Sequence, residues 1–359
     1  MKNIIIFEDS KTSLLKPFSI THATFEIQSG LKTNLERIMD IYGPNYKYIL
    51  LVRSEIESLI KNRYPELEVN PKFLDDGKYI NGKYLLKDYI NLENFPNHVN
   101  NEDLVIENLF LIENLWDSIF YFNEIFKYDF KETEFTFKKY KNNENILVAD
   151  SSNIKEGVIL DQSNGPIVIG ENVTIDIGAL LQGPLLINDN SYLAPGAKIR
   201  SGTMIGENCK VGGEVSNSIF YKNSNKVHDG FLGHSFIGEW VNIGAGTNNS
   251  NLKNNYSTIK FNHGTGEYDT GKQFLGSMIG DYSTIGISTM LNSGTYIGIG
   301  CNVFGAGFQN KYIPSFSWGK ENSIYNIEKL IKTINRMQKR RKTSLSTIEA
   351  DFLKKIYKK

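Results

Sequence analysis

Cysteine is nearly absent from this sequence: Cys209 and Cys301 are the two in 359 residues, and they lie far apart. That rules out a disulfide framework or a zinc site built on several thiolates, and both read as small core residues. Histidine is scarce as well, with five in the chain, so imidazole chemistry has few candidates. No apolar run approaches the roughly 20 residues that a membrane helix needs. The opening segment, residues 1–7, runs directly into Glu8 and Asp9 and lacks the long apolar region of a signal peptide. The expectation is a cytoplasmic protein with no membrane partner. Excess charge of either sign is missing too: 40 Lys and Arg balance 40 Asp and Glu, so nothing drives the whole chain toward nucleic acid.

What the sequence does have is a period of six. Ile169, Ile175, Leu181, Ile187, Leu193, Ile199, Ile205 and Val211 follow one another at that interval. The period returns at Ile237 and Ile243, and again at Ile279, Ile285, Leu291, Ile297 and Val303. Glycine often follows the aliphatic residue, as at Gly170, Gly206, Gly238 and Gly280. No helix has period six, and a strand alone has period two. A six-residue repeat with inward aliphatics and turn-favouring glycines predicts a parallel β-helix, three repeats to a triangular coil. Two stretches break the frame. Residues 213–232 shift its phase, and residues 247–275, rich in Asn, Gly and Lys, are too long for a turn and must leave the prism.

The flanking regions differ. Residues 1–150 read as an α/β domain, with strands over 3–7 and 48–52 and helices over 30–42, 54–63 and 115–126. Ser54 and Glu57 stand at capping-box spacing. A polar stretch to Asn145 reads as the linker, and residues 151–318 as the β-helix. Residues 319–359 read as two basic helices, carried by Ile324, Ile327, Leu330, Ile331 and Ile334 and then by Ile348, Phe352, Leu353 and Ile356.

The densest polar sequence lies in the two interruptions: Lys226-Val227-His228-Asp229-Gly230-Phe231-Leu232-Gly233, then Asn242-Ile243-Gly244-Ala245-Gly246-Thr247 and an asparagine-bearing loop to Asn251. This stretch resembles the acetyltransferase half of the bifunctional bacterial enzymes that make UDP-N-acetylglucosamine. Most of the chain is similar to a GlmU-like branch of that superfamily, at Trp116-Asp117, Gly212-Gly213-Glu214-Val215, residues 248–256, Pro314-Ser315-Phe316-Ser317-Trp318-Gly319 and the basic tail. The resemblance implies a left-handed β-helix, a homotrimer with active sites between neighbouring prisms, and acetyl-CoA as co-substrate. It implies His228 as catalytic base, with Arg200, Asn251, Lys226 and Glu214 on the sugar-phosphate acceptor. It also implies Ser288 and Gly305 near the acetyl donor. The family's tyrosine after the asparagine is Leu252 here, a second basic phosphate ligand falls near Ser216, and a serine that meets the acetyl donor falls on Ile287, next to Ser288.

That chemistry is coherent in its own terms. Acyl transfer from a thioester needs the amine deprotonated, and an imidazole can take the proton near neutral pH. A sugar phosphate needs cationic donors, and an arginine offers a bidentate fork. His22, His234 and His263 read as structural or solvated. The basic cluster over 339–342 reads as a solvated helix end or as facing an anion such as the CoA phosphates; without interleaved aromatics, nucleic acid has least support.

The N-terminal half departs further from the pattern of sugar-phosphate nucleotidyltransferases. Its first strand ends in Phe7-Glu8-Asp9-Ser10-Lys11 with no glycine, Thr21-His22-Ala23 stands where the similar branch has Thr-Arg-Pro, and Tyr79-Ile80-Asn81-Gly82 lacks the metal-binding aspartate. Lys11 and Lys16 are its candidate phosphate ligands, with an NTP as a further partner and Mg²⁺ needed only if this half is active. No other metal is expected. Three readings stay open: an N-acetyltransferase on an amino-sugar 1-phosphate or related nucleotide sugar, with or without nucleotidyl transfer; a nucleotidyltransferase whose β-helix serves only for trimerisation; and a non-catalytic sugar-nucleotide-binding protein with a degenerate N-terminal domain.

Overall fold

The computed structural model describes residues 2–99, 109–319, 321 and 323–358. Four N-terminal strands, β1 (Lys2–Phe7), β2 (Tyr46–Leu51), β3 (Glu68–Val69) and β4 (Gly77–Asn81), form a parallel sheet in the order β3-β2-β1-β4. Ile4, Ile5 and Ile6 are all fully buried, as expected of a parallel strand covered on both faces. Helix α1 (Asn34–Tyr42) starts four residues later than its apolar spacing suggests. It starts there because Thr33 and Glu36 close a reciprocal capping box. Helix α2 (Glu57–Arg63) departs from expectation, since Ser54 caps nothing. Val52 and Arg53 are still tied to Asn70 and Glu8, so the chain turns helical only after them. Glu57 bonds Lys61 and Asn70 instead. Helix α3 (Asp117–Glu132) runs six residues past the predicted end. Within the expected linker, Lys138–Lys139 pairs antiparallel with Ile146–Val148, the first strand of the repeat stack.

From there the chain coils into a β-helix. Ile167 pairs in parallel with Leu185 and Leu185 with Thr203, one coil every 18 residues. The aliphatics of the six-residue count form one continuous buried cluster along the axis. One corner of each coil needs a positive φ, met by Asn172, Asn190 and Asn208 at 18-residue intervals, where asparagine is the side chain best tolerated. Both cysteines lie free in this core, their thiols pushed up to about 12 by burial.

The first interruption is no loop. Met204 pairs with Ile219, fifteen residues on, and Ile219 with Phe236, seventeen on, so the coils shorten and stay in the stack. The second does leave it. Asn248–Asn249 still pairs with Met290–Leu291, but Phe236 pairs with Met278, and the residues between include an antiparallel hairpin, Lys260–Asn262 with Glu267–Asp269.

The three faces of the prism have different fates. One turns Val168, Leu186, Met204, Ile219, Phe236, Met278 and Tyr296 outward, and all are buried against Phe18, Trp116, Phe122 and Phe126 of the N-terminal domain. The hairpin joins this interface: Phe261 packs edge-on to Trp116, 5.1 Å between rings. A second face is polar and meets the tail, where Arg341 donates to the Asn225 side chain at 3.0 Å. The tail forms α4 (Ile327–Lys339) and α5 (Thr347–Tyr357), and α5 packs on α2. Ile324, expected at the start of α4, instead sits exposed in a short strand, Ser323–Ile324. The third face, built on Ile159–Asp161, Leu180–Gln182, Lys198–Ile199, Glu214–Ser216 and Phe231–Gly233, is left uncovered by the described residues, with Ile159 and Leu180 exposed on it. No helix among the described residues is long and apolar enough to cross a membrane.

His22 is fully enclosed at the domain interface, not solvated. Its Nε2 lies 3.1 Å from Asp281 and 3.9 Å from Glu239 of the β-helix. Its Nδ1 lies 3.1 Å from Arg63 and 3.6 Å from Glu26 of its own domain. Burial and Arg63 push the imidazole pKa down, but Asp281 and Glu26 outweigh them and carry it up to about 9. A histidine whose folded pKa is raised contributes stability that is fully present below about pH 6.5 and fades as pH rises through 9. Urea titrations between pH 6.5 and 9.5 are therefore expected to show a falling midpoint that His22→Gln flattens; an unchanged slope in the variant would show that other groups carry it.

Candidate active site

The corners of successive coils place the expected acyl-transfer residues. Lys226 stacks on Val211, Asn225 pairs with Asn242, and Ile243 pairs with Ile285 and then Val303. Two residues beyond each of these, the chain turns one edge of the prism. His228, Ala245, Ile287 and Gly305 thus follow one another along that edge, with Ser288 beside Ile287. Backbone bonds tie the corners: Gly246 N donates to Asp229 O at 2.9 Å and Ser288 N to Ala245 O at 2.7 Å. The His228 side chain is exposed, as is Ile287, 76% accessible.

Arg200 and Asn251 lie at the opposite edge of the uncovered face. Arg200 follows Ile199 and stands one position past the row Ile199, Val215 and Leu232. Asn251 follows Ser250, whose N donates to Leu291 O. The three-residue strand Phe231–Gly233 separates the edges, on the order of 10 Å at 3.3 Å per residue. One chain therefore does not bring His228 into contact with Arg200 or Asn251. Arg200 faces Glu214 at 3.4 Å, both well exposed, so these two expected acceptor ligands pair with each other. Asn251 donates from its amide toward His234 Nδ1 at 2.9 Å. His234 stacks on Phe274, and burial pulls its pKa down to about 4. It is a neutral, packed imidazole.

Lys226 does not face an acceptor. It occupies the inward position that Val211 fills one coil earlier, and it is 1% exposed. Its Nζ donates to the carbonyls of His228 at 2.8 Å and Gly212 at 3.2 Å. Gly213, at φ +69°, has no side chain to block it: a Cβ there would sit 2.8 Å from the ammonium. Burial pulls the Lys226 pKa down to about 8, against the opposing pull of Asp229. The signal was present in the sequence, because counting six from Phe220 lands on Lys226 and six more on Leu232. Asn249, inward like Leu291, is a second polar core residue that sequence reasoning missed. Its side chain bonds Gly233 N, Gly233 O and Ser235 Oγ.

A buried, unpaired ammonium costs stability that an apolar side chain of similar volume recovers, about 1–4 kcal/mol. Lys226→Met is accordingly expected to raise the unfolding midpoint at pH 7. The gain should shrink from pH 8 to 10.5, where the wild-type lysine sheds its own charge on folding. A lower midpoint at pH 7 would mean that the two carbonyl bonds outweigh the burial of charge.

A second centre lies at the carboxyl ends of β1 and β2, where parallel sheets present ligand sites. A cavity of about 1050 Å³ opens there, lined by Asp9, Ser10, Lys16 and Arg53 among others. Lys16 lines it; Lys11 is an exposed neighbour whose N bonds Asp9. Asp9 makes a fully buried ion pair with Lys83 at 2.6 Å and accepts from Asn81 at 2.8 Å. Glu8 is held by Arg53 at 2.5 Å. With both acids engaged and Asn81 at the expected aspartate position, these donors do not fit a Mg²⁺ ion. Among the described residues no group of three or more His, Cys, Asp or Glu is placed to hold a metal.

A sugar-nucleotidyltransferase-like domain fused to a β-helix of six-residue repeats defines the class of protein. Residues 4–156 match the family described as sugar nucleotidyl transferase. The chain is 36% identical over 155 residues to the uncharacterized acetyltransferase YaiX of Escherichia coli, covering 43% of this chain and 65% of that protein. It is 30% identical over 168 residues to a bifunctional sugar-1-phosphate nucleotidylyltransferase/acetyltransferase of Sulfurisphaera tokodaii, covering 46% of this chain and 41% of that protein. It is also 38% identical over 104 residues to the bifunctional protein GlmU of Wigglesworthia glossinidia brevipalpis, covering 28% of this chain and 20% of that one. The chain thus spans less than two thirds of the length of these relatives. Fold and matches together make the chain similar to GlmU-like proteins.

Proposed function

We propose that the β-helix transfers an acetyl group from acetyl-CoA to the amine of an amino-sugar 1-phosphate or related nucleotide sugar, with His228 as the base. The observation that carries this reading is the shared edge, which sets His228 in line with Ser288 and Gly305, where the acetyl donor is expected. The imidazole takes the proton of the attacking amine. Backbone N–H groups at the corners supply donors for the oxyanion of the tetrahedral intermediate. Arg200 and Asn251 act from a neighbouring subunit, Arg200 exchanging Glu214 for the acceptor's phosphate. The uncovered face supports a homotrimer: its outward row carries Ile159, Leu180 and Met290, all between 39% and 58% exposed, and three such faces close around a three-fold axis.

The test mixes the protein with acetyl-CoA and a panel of amino-sugar 1-phosphates and follows free thiol. Acceptor-dependent release supports the reading; silence with every acceptor in a folded oligomer removes it. Nucleotidyl transfer by the N-terminal domain is the second reading, favoured by the family match over residues 4–156. Pyrophosphate release from an NTP and a sugar 1-phosphate would distinguish it.

A further inference from the structure

The cavity at the ends of β1 and β2 is not built by the N-terminal domain alone. Residues 263–265, the tip of the β-helix insertion, roof it, together with Tyr296, Tyr312 and Phe316 of the last coils and Phe352 of α5. The tip is held close: Gly264, at φ +104°, would put a Cβ 2.9 Å from the Tyr312 hydroxyl, so only glycine fits. The hairpin behind the tip is anchored by Phe261 and Tyr268 on Trp116.

Two cationic or protonatable groups, Lys16 and His263, line this cavity together with Arg53 and the acids Glu8, Asp9 and Glu55. Lys16 is half-buried and, among the described residues, makes no ion pair, although the acids beneath it are already taken by Lys83 and Arg53. His263 is 5% exposed. Its Nδ1 lies 3.3 Å from the Thr265 hydroxyl, and its Nε2 has no hydrogen-bond partner among the described residues. Burial first, and then the Lys16 ammonium, pull the His263 pKa below the usual imidazole range. An imidazole and an ammonium that share one cavity, with Asp9 and Glu8 already paired and Glu55 the remaining acid of the lining, form an arrangement that an anion completes. The anion satisfies Lys16 and draws a proton onto His263. Ser10, Thr12 and Ser13 add hydroxyl donors, and the aromatic roof offers ring faces and edges to an attached organic group.

We propose that His263 of the insertion and Lys16 of the N-terminal domain form an anion clamp, shared between domains, that takes the phosphate of an organic phosphate whose ring lies under Tyr312 and Phe316. The insertion then belongs to the N-terminal cavity, some distance in the chain from the edge that carries His228, and the inference does not rest on acyl transfer.

Isothermal titration of the full chain with the four ribonucleoside triphosphates, glucosamine 1-phosphate and inorganic phosphate tests this. At least one organic phosphate is expected to bind more tightly than inorganic phosphate. Its Kd should fall from pH 8 to pH 6, with net proton uptake. Lys16→Met weakens binding at least ten-fold. His263→Gln, which keeps a hydrogen-bond donor, weakens it less but abolishes the proton uptake. Binding that is unchanged in both variants overturns the clamp, as does the absence of binding by every probe in folded wild-type protein. Inorganic phosphate binding as tightly as the organic compounds overturns the role of the aromatic roof.

Discussion

If the proposed acetyl transfer holds, replacing His228 by alanine is expected to lower it by about 10²- to 10⁴-fold, the usual contribution of a positioned general base, and to leave stability nearly unchanged. The second half of this expectation follows from exposure. The imidazole is at the surface, and its loop is held through the main chain, with Lys226 Nζ on the His228 carbonyl and Gly246 N on the Asp229 carbonyl. Surface substitutions away from such anchors stay within about 0.5 kcal/mol. The rival imidazole is His234, six residues on. It is packed on Phe274, bonded to Asn251 and held neutral by burial, so His234→Ala should cost stability and shift KM through Asn251 rather than remove the chemical step. Steady-state kinetics and thermal unfolding of both variants decide between them. Loss of kcat in His234→Ala with kcat retained in His228→Ala would reassign the base.

The inward residues of the β-helix were legible because the period of the sequence is the period of the prism. Ile169 and Ile187 differ by 18 residues and pair directly. The phase shift after Val211 was legible as a disturbance but not as a shortened coil. Its consequence, a lysine facing inward at 226, required carrying the count across the shift from Phe220. The asparagine-bearing loop read as a departure from the prism, yet its destination was hidden. Phe261 meets Trp116, 145 residues away in sequence, and such pairings depend on the docking of domains, which no local pattern encodes. For the same reason His22 and His263, unremarkable as single histidines, read from the sequence only as structural or solvated. Their partners, Asp281 for one and Lys16 for the other, come from the opposite domain.

The strongest expected effect on stability lies where α1 meets α3. Arg37 and Asp129 are each 4% exposed and form a bidentate pair, Nη1 to Oδ1 at 2.5 Å and Nη2 to Oδ2 at 2.8 Å. Arg37 also donates to the Ser29 carbonyl, and Asp129 accepts from Leu31 N at 2.8 Å. The turn between them needs Gly30 at φ +91°, because a Cβ there would lie 2.4 Å from Asp129 Oδ2. Asp129→Ala leaves a buried guanidinium without a counter-charge and frees the Leu31 amide. Breaking one side of such a pair costs about 3–5 kcal/mol. The double variant Arg37→Met with Asp129→Leu is expected to recover most of the loss, since neither charge is then buried alone. Urea unfolding of the single and double variants measures this, and a double variant no more stable than Asp129→Ala would mean that the turn, not the charge, sets the cost. The site matters beyond stability because α3 carries Phe122 and Phe126, which cover the docked face of the prism. Loosening α3 from α1 should therefore weaken the seat of the β-helix on the N-terminal domain, and with it the roof that residues 263–265 place over the cavity at β1 and β2. A loss of organic-phosphate binding in Asp129→Ala, with acetyl transfer at the far edge of the prism retained, is the outcome this coupling requires.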